Sequence, residues 1–225
     1  MSLTFTVSDA GIVVDATAVV IAGFTGRDRA AVAEHLAELA ELGVPTPKSV
    51  PSFYVTPGTS AVQQPRLAMV GAETSGEAEA VLVFDGDDAY LTLGSDHTDR
   101  AAEAIDIALS KLACPKPLAT VVWRLEEVAD HADDLLVRSW ITEDGVESLY
   151  QEGRLGELMD LGDLLDATPF ADRPDRFVLF TGTFPALGGI RPAERFRATL
   201  EDPVRGRSLS LDYRIDVLHV LRAPG

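Results

Sequence analysis

Three carboxylates in this 225-residue chain stand at spacings that could hold a hard metal ion. The stretch GEAEAVLVFDGDDAYLTLGSDHTDR (76–100) has the form of a β-hairpin, with two apolar runs either side of the turn-forming DGDD (85–88). If Phe84 pairs with Ala89, Glu77 faces Asp96 and Glu79 faces Gly94. Glu77 and Glu79 sit two apart on one strand, so both leave the face along which Val81 and Val83 follow. Three acids then converge within a few ångströms.

Like charges opposed on a sheet destabilise it, and a buried unpaired carboxylate is costly. A hard divalent cation would offset both. Three carboxylates plus water suit Mg²⁺ or Mn²⁺ better than Zn²⁺, which favours His and Cys, and Ca²⁺ accepts the same oxygen ligands. The same spacing would equally serve a hydrated hairpin end, and a register slip of one residue would separate the groups.

The elements around the hairpin are mostly strands. TFTV (4–7) and AVVIAGF (18–24) open the chain, and a helix follows in DRAAVAEHLAELAELG, with Asp28 as N-cap, Val32, Leu36 and Leu39 at helical spacing, and Gly43 and Pro45 as the stop. The proline-rich stretch 43–60 reads as an extended loop around a short FYV strand. From residue 66 come RLAMV, EAEAVLVF and AYLTLG, then a helix predicted over about 98–113 with Ile105, Leu109 and Leu112 on one stripe. LLVRSWI, a turn at Asp144-Gly145, VESLY, FVLFTG, FRATLE and RSLSLDYRIDVLHV complete the pattern. In the last of these Leu209, Leu211, Tyr213, Ile215 and Val217 share one face, and Ser210, Asp212, Arg214 and Asp216 the other. The expectation is an α+β fold in a single domain over 1–225, with residues 1–65 as a covering or lid segment and 66–225 as the β-rich core.

Composition narrows the function. An apolar content of 46% supports a sizeable core. The net charge of −17, with no basic stripe, argues against nucleic acid. The only cysteine, Cys114, permits no disulfide within the chain, which favours the cytoplasm. AVVIAGF is too short to span a bilayer, so no membrane role is expected. Of 19 basic residues three are lysines, Lys48, Lys111 and Lys116, and the last two lie close together.

At the acidic residues the sequence resembles the fumarylacetoacetate hydrolase family, which carries an E-x-E strand followed by N-D-x-[ST]-x-R-D. The corresponding stretches are Glu77-Ala78-Glu79 and Ser95-Asp96-His97-Thr98-Asp99-Arg100. SKLACPKPLA (110–119) looks like the stretch bearing that family's active-site lysine, SWITEDGVESLYQEG (139–153) like its N-G-x-x-x-Q segment, and TGTFPALGG (181–189) like its T-G-T-P-x-G-x-G. The motifs keep the family's order over about residues 18–220. Ser95 replaces the family's Asn, Glu103 stands where a Gln is common, and Phe184 adds a residue before Pro185, so the likeness is to a divergent bacterial branch of unknown function.

The resemblance implies a mixed β-roll or barrel with few helices, and a Mg²⁺-type ion (or Mn²⁺ or Ca²⁺) on Glu77, Glu79 and Asp96. It implies Lys111 as a catalytic lysine, and His35 with Glu38 as an acid/base dyad, since residues three apart share a helix side. Arg100 would contact a substrate carboxylate or, as readily, Asp99 or another structural acid, and Thr181, Gly182 and Thr183 would offer hydroxyls and amides to such a carboxylate or form a plain strand-ending turn. An unbroken helix would put Lys111 roughly 16 Å along its axis from Arg100, so the chain must bend back if both line one pocket. His97, His131 and His219 read as structural. The expected activity is metal-dependent hydrolysis or decarboxylation breaking a C–C bond in a small oxo or diketo acid. A keto-enol isomerase on the same metal, or a non-catalytic binding protein of this fold, stands beside it, and the family's habit suggests a homodimer.

Overall fold

The computed structural model describes residues 2–41, 46–47, 49–170 and 174–218. Two open mixed sheets form the body. The first has six strands in the order β12 (Trp123–Arg124), β9 (Asp88–Ser95), β8 (Ala78–Asp85), β15 (Arg176–Phe180), β3 (Ala18–Gly23) and β4 (Ser52–Pro57). The second has five, β14 (Val146–Arg154), β13 (Leu136–Glu143), β16 (Arg195–Asp202), β17 (Arg207–Leu218) and β6 (Arg66–Val70). Most neighbours are antiparallel, but β15 pairs with β3, and β17 with β6, in parallel. The sheets stay open where the sequence allowed a roll or a barrel. No helix among the described residues is long and apolar enough to cross a membrane.

Alternation along β8 explains why the first sheet sits between two cores. Ala80, Leu82 and Phe84 pack toward the second sheet, against Val137, Phe196 and Leu211 among others. Val81 and Val83 turn to the opposite side, where the N-terminal hairpin of β1 (Leu3–Val7) and β2 (Ala10–Val14) covers them with Leu3, Phe5 and Val14. A strand buried on both faces must be apolar throughout, hence the unbroken AVLVF. Residues 1–65, expected to lie over the core, are partly inside it. Val19, Val20 and Ile21 of β3 are almost wholly enclosed because β3 pairs with β15.

Four short elements frame one end of the hairpin. β5 (Ala61–Val62) runs parallel to β11 (Lys116–Pro117), and β7 (Thr74–Ser75) antiparallel to β10 (Thr98–Asp99). Of the helices, α1 (Arg29–Glu41) begins as predicted, with Asp28 accepting from the backbone N–H groups of Ala30 and Ala31. The helix expected over 98–113 is two pieces, α2 (Arg100–Glu103) and α3 (Ile107–Ala113). Asp106 sits between them in an extended conformation and caps α3 through the Leu109 N–H. The stripe of Ile105, Leu109 and Leu112 faces outward at 73, 51 and 52% exposure, and the buried residues of α3 are Ser110 and Lys111. A fourth helix, α4 (Leu161–Ala167), lies far along the chain from the hairpin.

Gly94, opposite Glu79, shows how tightly this end is packed. A Cβ there would lie 2.7 Å from Val81, 2.8 Å from Phe180 and 2.9 Å from Leu118. Gly94→Ala is therefore expected to cost about 1–3 kcal/mol, as overpacked cores do, read as a lower urea midpoint with unchanged slope.

Candidate metal centre

The hairpin forms in the register the sequence predicts. Phe84 pairs with Ala89, Glu79 with Gly94 and Ala78 with Ser95, joined by a turn in which Gly86 takes a positive φ of 64°. The Asp96 N–H donates to the Glu77 carbonyl at 2.9 Å, extending the ladder by one pair. One carboxylate oxygen from each of Glu77, Glu79 and Asp96 then lies within 4.8 Å of the others. Glu79 and Asp96 are buried and Glu77 is half-buried, at the mouth.

The charge these acids need comes first from within the chain. The Lys111 ammonium stands 2.6 Å from Asp96 Oδ2, 3.1 Å from Glu77 Oε2 and 3.0 Å from Thr98 Oγ1. Lys116, wholly buried on β11, stands 3.0 Å from Asp96 Oδ1 and donates to the His97 carbonyl at 2.6 Å. Arg100 donates to Glu77 Oε1 (2.8 Å), Glu103 Oε2 (2.6 Å) and Ser75 Oγ (2.7 Å). The break at Asp106 makes this possible, because it folds α3 back so that Arg100 and Lys111 reach the two oxygens of one carboxylate.

The three acids nevertheless differ. Burial pushes the Glu77 carboxyl up, but Lys111 and Arg100 outweigh it and hold it at about 2. Glu79 is driven well above the usual carboxylate range by burial and by the Asp96 and Glu77 charges, against which it has the Gly182 N–H at 2.8 Å. Burial opposes the charge on Lys111, yet Asp96 and Glu77 raise its pKa. The Asp96 oxygens lie at ion-pair distance from two ammonium groups, but neither is aligned for a hydrogen bond with any described donor. Charge proximity without directed bonds leaves buried lone pairs that a cation could take. Three oxygen donors within reach of one another, one of them on a carboxyl whose charge its neighbours disfavour, suit a hard divalent cation, so the residues fit the ion.

A second tier fixes these groups. Ser95 Oγ accepts from the Glu77 N–H at 3.1 Å and lies 2.9 Å from the Tyr213 hydroxyl, which also bonds His97 Nδ1 at 2.9 Å. His97 is thus turned away from the acids toward the second sheet, and burial with the nearby Lys116 charge holds its pKa at about 3. Thr181 Oγ1 donates to the Ala80 carbonyl and Thr183 Oγ1 to that of Ala78, both at 2.9 Å. Gly182 takes a φ of 106°, and a Cβ there would lie 1.9 Å from Thr25 Oγ1, so only glycine can present this amide to Glu79. Gln151 locks the loop to the strand. Its Oε1 accepts from the Ala78 N–H and from Ser139 Oγ (both 2.9 Å), while its Nε2 donates to Thr183 Oγ1 (2.8 Å) and the Phe184 carbonyl (2.7 Å). The added Phe184 is buried on Gly153, where any Cβ would meet its ring.

Structure thus brings Glu77, Glu79, Asp96, Arg100, Lys111 and Gly182 together, and puts Thr181 and Thr183 one layer behind as braces of β8. His35 and Glu38 fall on α1, but their side chains lie outside the described part of the structure, as does His219 altogether. His131 bonds Asp130 and Asp202, remote from the centre. Sequence reasoning assigned no role to Lys116, Ser75, Tyr213 or Gln151. Lys116 left a signal as one of three lysines in an arginine-dominated chain, and Gln151 as the glutamine within the stretch that resembles N-G-x-x-x-Q.

Comparison with known proteins agrees with this geometry. Residues 22–213 match the family model described as a protein of unknown function, DUF2848. The chain belongs to the DUF2848 family. No curated protein matches it. Solved structures with the same fold as this DUF2848 chain include a protein from Oleispira antarctica provisionally assigned as a fumarylacetoacetate isomerase/hydrolase, with a TM-score of 0.69 and 17% identity over 94% of this chain and 99% of that one. They include 2-keto-3-deoxy-D-arabinonate dehydratase (0.67, 18%, covering 95% and 78%) and 5-carboxymethyl-2-hydroxymuconate delta-isomerase from Mycobacterium smegmatis (0.61, 18%, 95% and 84%). The DUF2848 chain therefore has the fumarylacetoacetate hydrolase-like fold.

Two substitutions test this account. Gln151→Leu strands the buried Ala78 N–H and is expected to cost about 1–3 kcal/mol, measured by urea unfolding. Glu79→Gln in EDTA is expected to stabilise the protein. A carboxyl whose folded pKa is raised lowers stability as pH climbs past the ordinary glutamate range, so the gain is absent near pH 4 and grows above it. Thermal melts at pH 4 and pH 7 read the difference.

Proposed function

We propose that this protein is a Mg²⁺-dependent enzyme that breaks a C–C bond beside the oxo group of a small oxo or diketo acid, by hydrolysis or decarboxylation. The observation that carries the reading is the set of Glu77, Glu79 and Asp96, converged within 4.8 Å at one end of the hairpin. Glu77, Glu79 and Asp96 would hold the ion, with Mn²⁺ or Ca²⁺ as substitutes. When bound, it would supply Lewis-acid polarisation of the substrate's oxo group and charge stabilisation for the departing enolate.

The remaining roles follow from the chain's own groups. Lys111 is buried on a short helix beside Asp96 and Glu77, and its ammonium would hold the negative charge that develops on the substrate oxygen. Arg100 keeps N–H groups beyond those engaged by Glu77, Glu103 and Ser75, and these would meet a substrate carboxylate. Thr181 and Thr183 would act from behind, bracing β8 through the Ala80 and Ala78 carbonyls, and Gly182 by its amide on Glu79, rather than by touching that carboxylate. His35 and Glu38 on α1 would act as the proton-transferring pair. The chain would work in the cytoplasm, as a homodimer. Proteins of the same fold include one provisionally assigned as a fumarylacetoacetate isomerase/hydrolase, a 2-keto-3-deoxy-D-arabinonate dehydratase and a 5-carboxymethyl-2-hydroxymuconate delta-isomerase, which supports a small oxo acid as substrate.

Calorimetric titration with Mn²⁺ and Mg²⁺ tests the metal. The wild type is expected to bind one ion per chain, and Asp96→Asn to lose at least about tenfold in affinity with its ligand charge. Absence of binding in the wild type would overturn the proposal. With the ion present, a panel of acylpyruvates and oxaloacetate is expected to yield pyruvate that Lys111→Met does not produce. Exchange of the α-proton without product would instead assign a keto-enol isomerase to the same residues.

A further inference from the structure

Lys116 is the most enclosed charge in the centre, and the roles above leave it unused. It lies between Pro115 and Pro117, has no exposed surface, and reaches Asp96 from the side of β11 while Lys111 reaches it from α3. A second ammonium on one metal ligand is unexpected if the site only has to bind a cation. A unit positive charge a few ångströms from a divalent ion repels it by more than about a tenfold change in affinity, even when screened as in bulk water.

Charge explains its presence. With every group ionised, Glu77, Glu79, Asp96 and Glu103 face Arg100, Lys111 and Lys116, all in one connected cluster. Without Lys116 the acids would outnumber the cations by two, and a divalent ion would bring the centre only to neutrality. With Lys116 the loaded centre carries one net positive charge, buried and therefore weakly screened.

We propose that Lys116 is a specificity-determining residue that weakens metal binding and makes the loaded centre a receptor for an anionic ligand. The inference rests on the metal-centre reading above and deepens it, because it fixes the sign of the substrate. It does not require Lys116 to touch either partner.

The test uses Mn²⁺ alone, then oxalate titrated into Mn²⁺-loaded protein, both by calorimetry, on the wild type, Lys116→Met and Lys116→Gln. Both variants are expected to bind Mn²⁺ about tenfold more tightly and to bind oxalate, once loaded, about tenfold more weakly. A residue that merely props up the site would weaken both affinities together, and that result, or no change in either, would overturn the proposal. Lys116→Gln keeps a donor for the His97 carbonyl, so it carries the test if the Met variant does not fold; opposite shifts in the Gln variant then assign the effect to charge. If the wild type itself takes up no Mn²⁺, the metal reading falls and this assignment with it, an outcome distinct from the two above.

Discussion

Repulsion among three carboxylates is the constraint around which the rest of this molecule is arranged. The hairpin register places Glu77 opposite Asp96 and Glu79 one pair further in, and that register cannot slip, because both faces of β8 and β9 are buried and a one-residue shift would exchange two cores. The strand that gains stability from apolar burial at one end is obliged to hold like charges together at the other. Everything near that end is a response: two ammonium groups on Asp96, a guanidinium on Glu77, and a backbone amide on Glu79.

The response is graded, and the grading gives the site its chemistry. Lys111 and Arg100 hold the half-buried Glu77 carboxyl low, whereas Glu79, buried with one neutral donor, is driven well above the usual carboxylate range. Asp96 lies between two positive charges and hydrogen-bonds to neither. A protein selected for stability alone would have replaced such a cluster with apolar residues of similar volume. A cluster kept in a closely packed sheet therefore needs an account other than stability, such as the cation proposed above.

How much of this was legible in the sequence depends on how locally each feature is encoded. The hairpin could be aligned from its turn and its two apolar runs, and Asp28 could be read as a cap, because the interactions span only a few residues. The stripe of Ile105, Leu109 and Leu112 misled for a physical reason. Helical periodicity assumes that the apolar face is the buried one, but the ion pairs of Lys111 turn the charged side of α3 inward and leave that stripe exposed. Lys116 stood out by type and Gln151 by motif, but their partners, like those of Tyr213, are made through tertiary contacts that no local pattern records. The N-terminal strands were underestimated similarly, because β3 enters the core by pairing with a strand near the other end of the chain.

The Gly182 amide and the Tyr213 hydroxyl have a consequence in time. They reach Glu79 and Ser95 across 103 and 118 residues of chain, and Tyr213 lies on the last strand. During synthesis the acids of β8 emerge first, with their like charges unbraced, and the groups that order them leave the ribosome last. Arg100, Lys111 and Lys116 follow the hairpin almost at once and are its early counter-charges. The nascent chain therefore passes through an interval in which the hairpin has emerged without the groups that fix its carboxylates, and the centre is completed only after residues 182 and 213 are made.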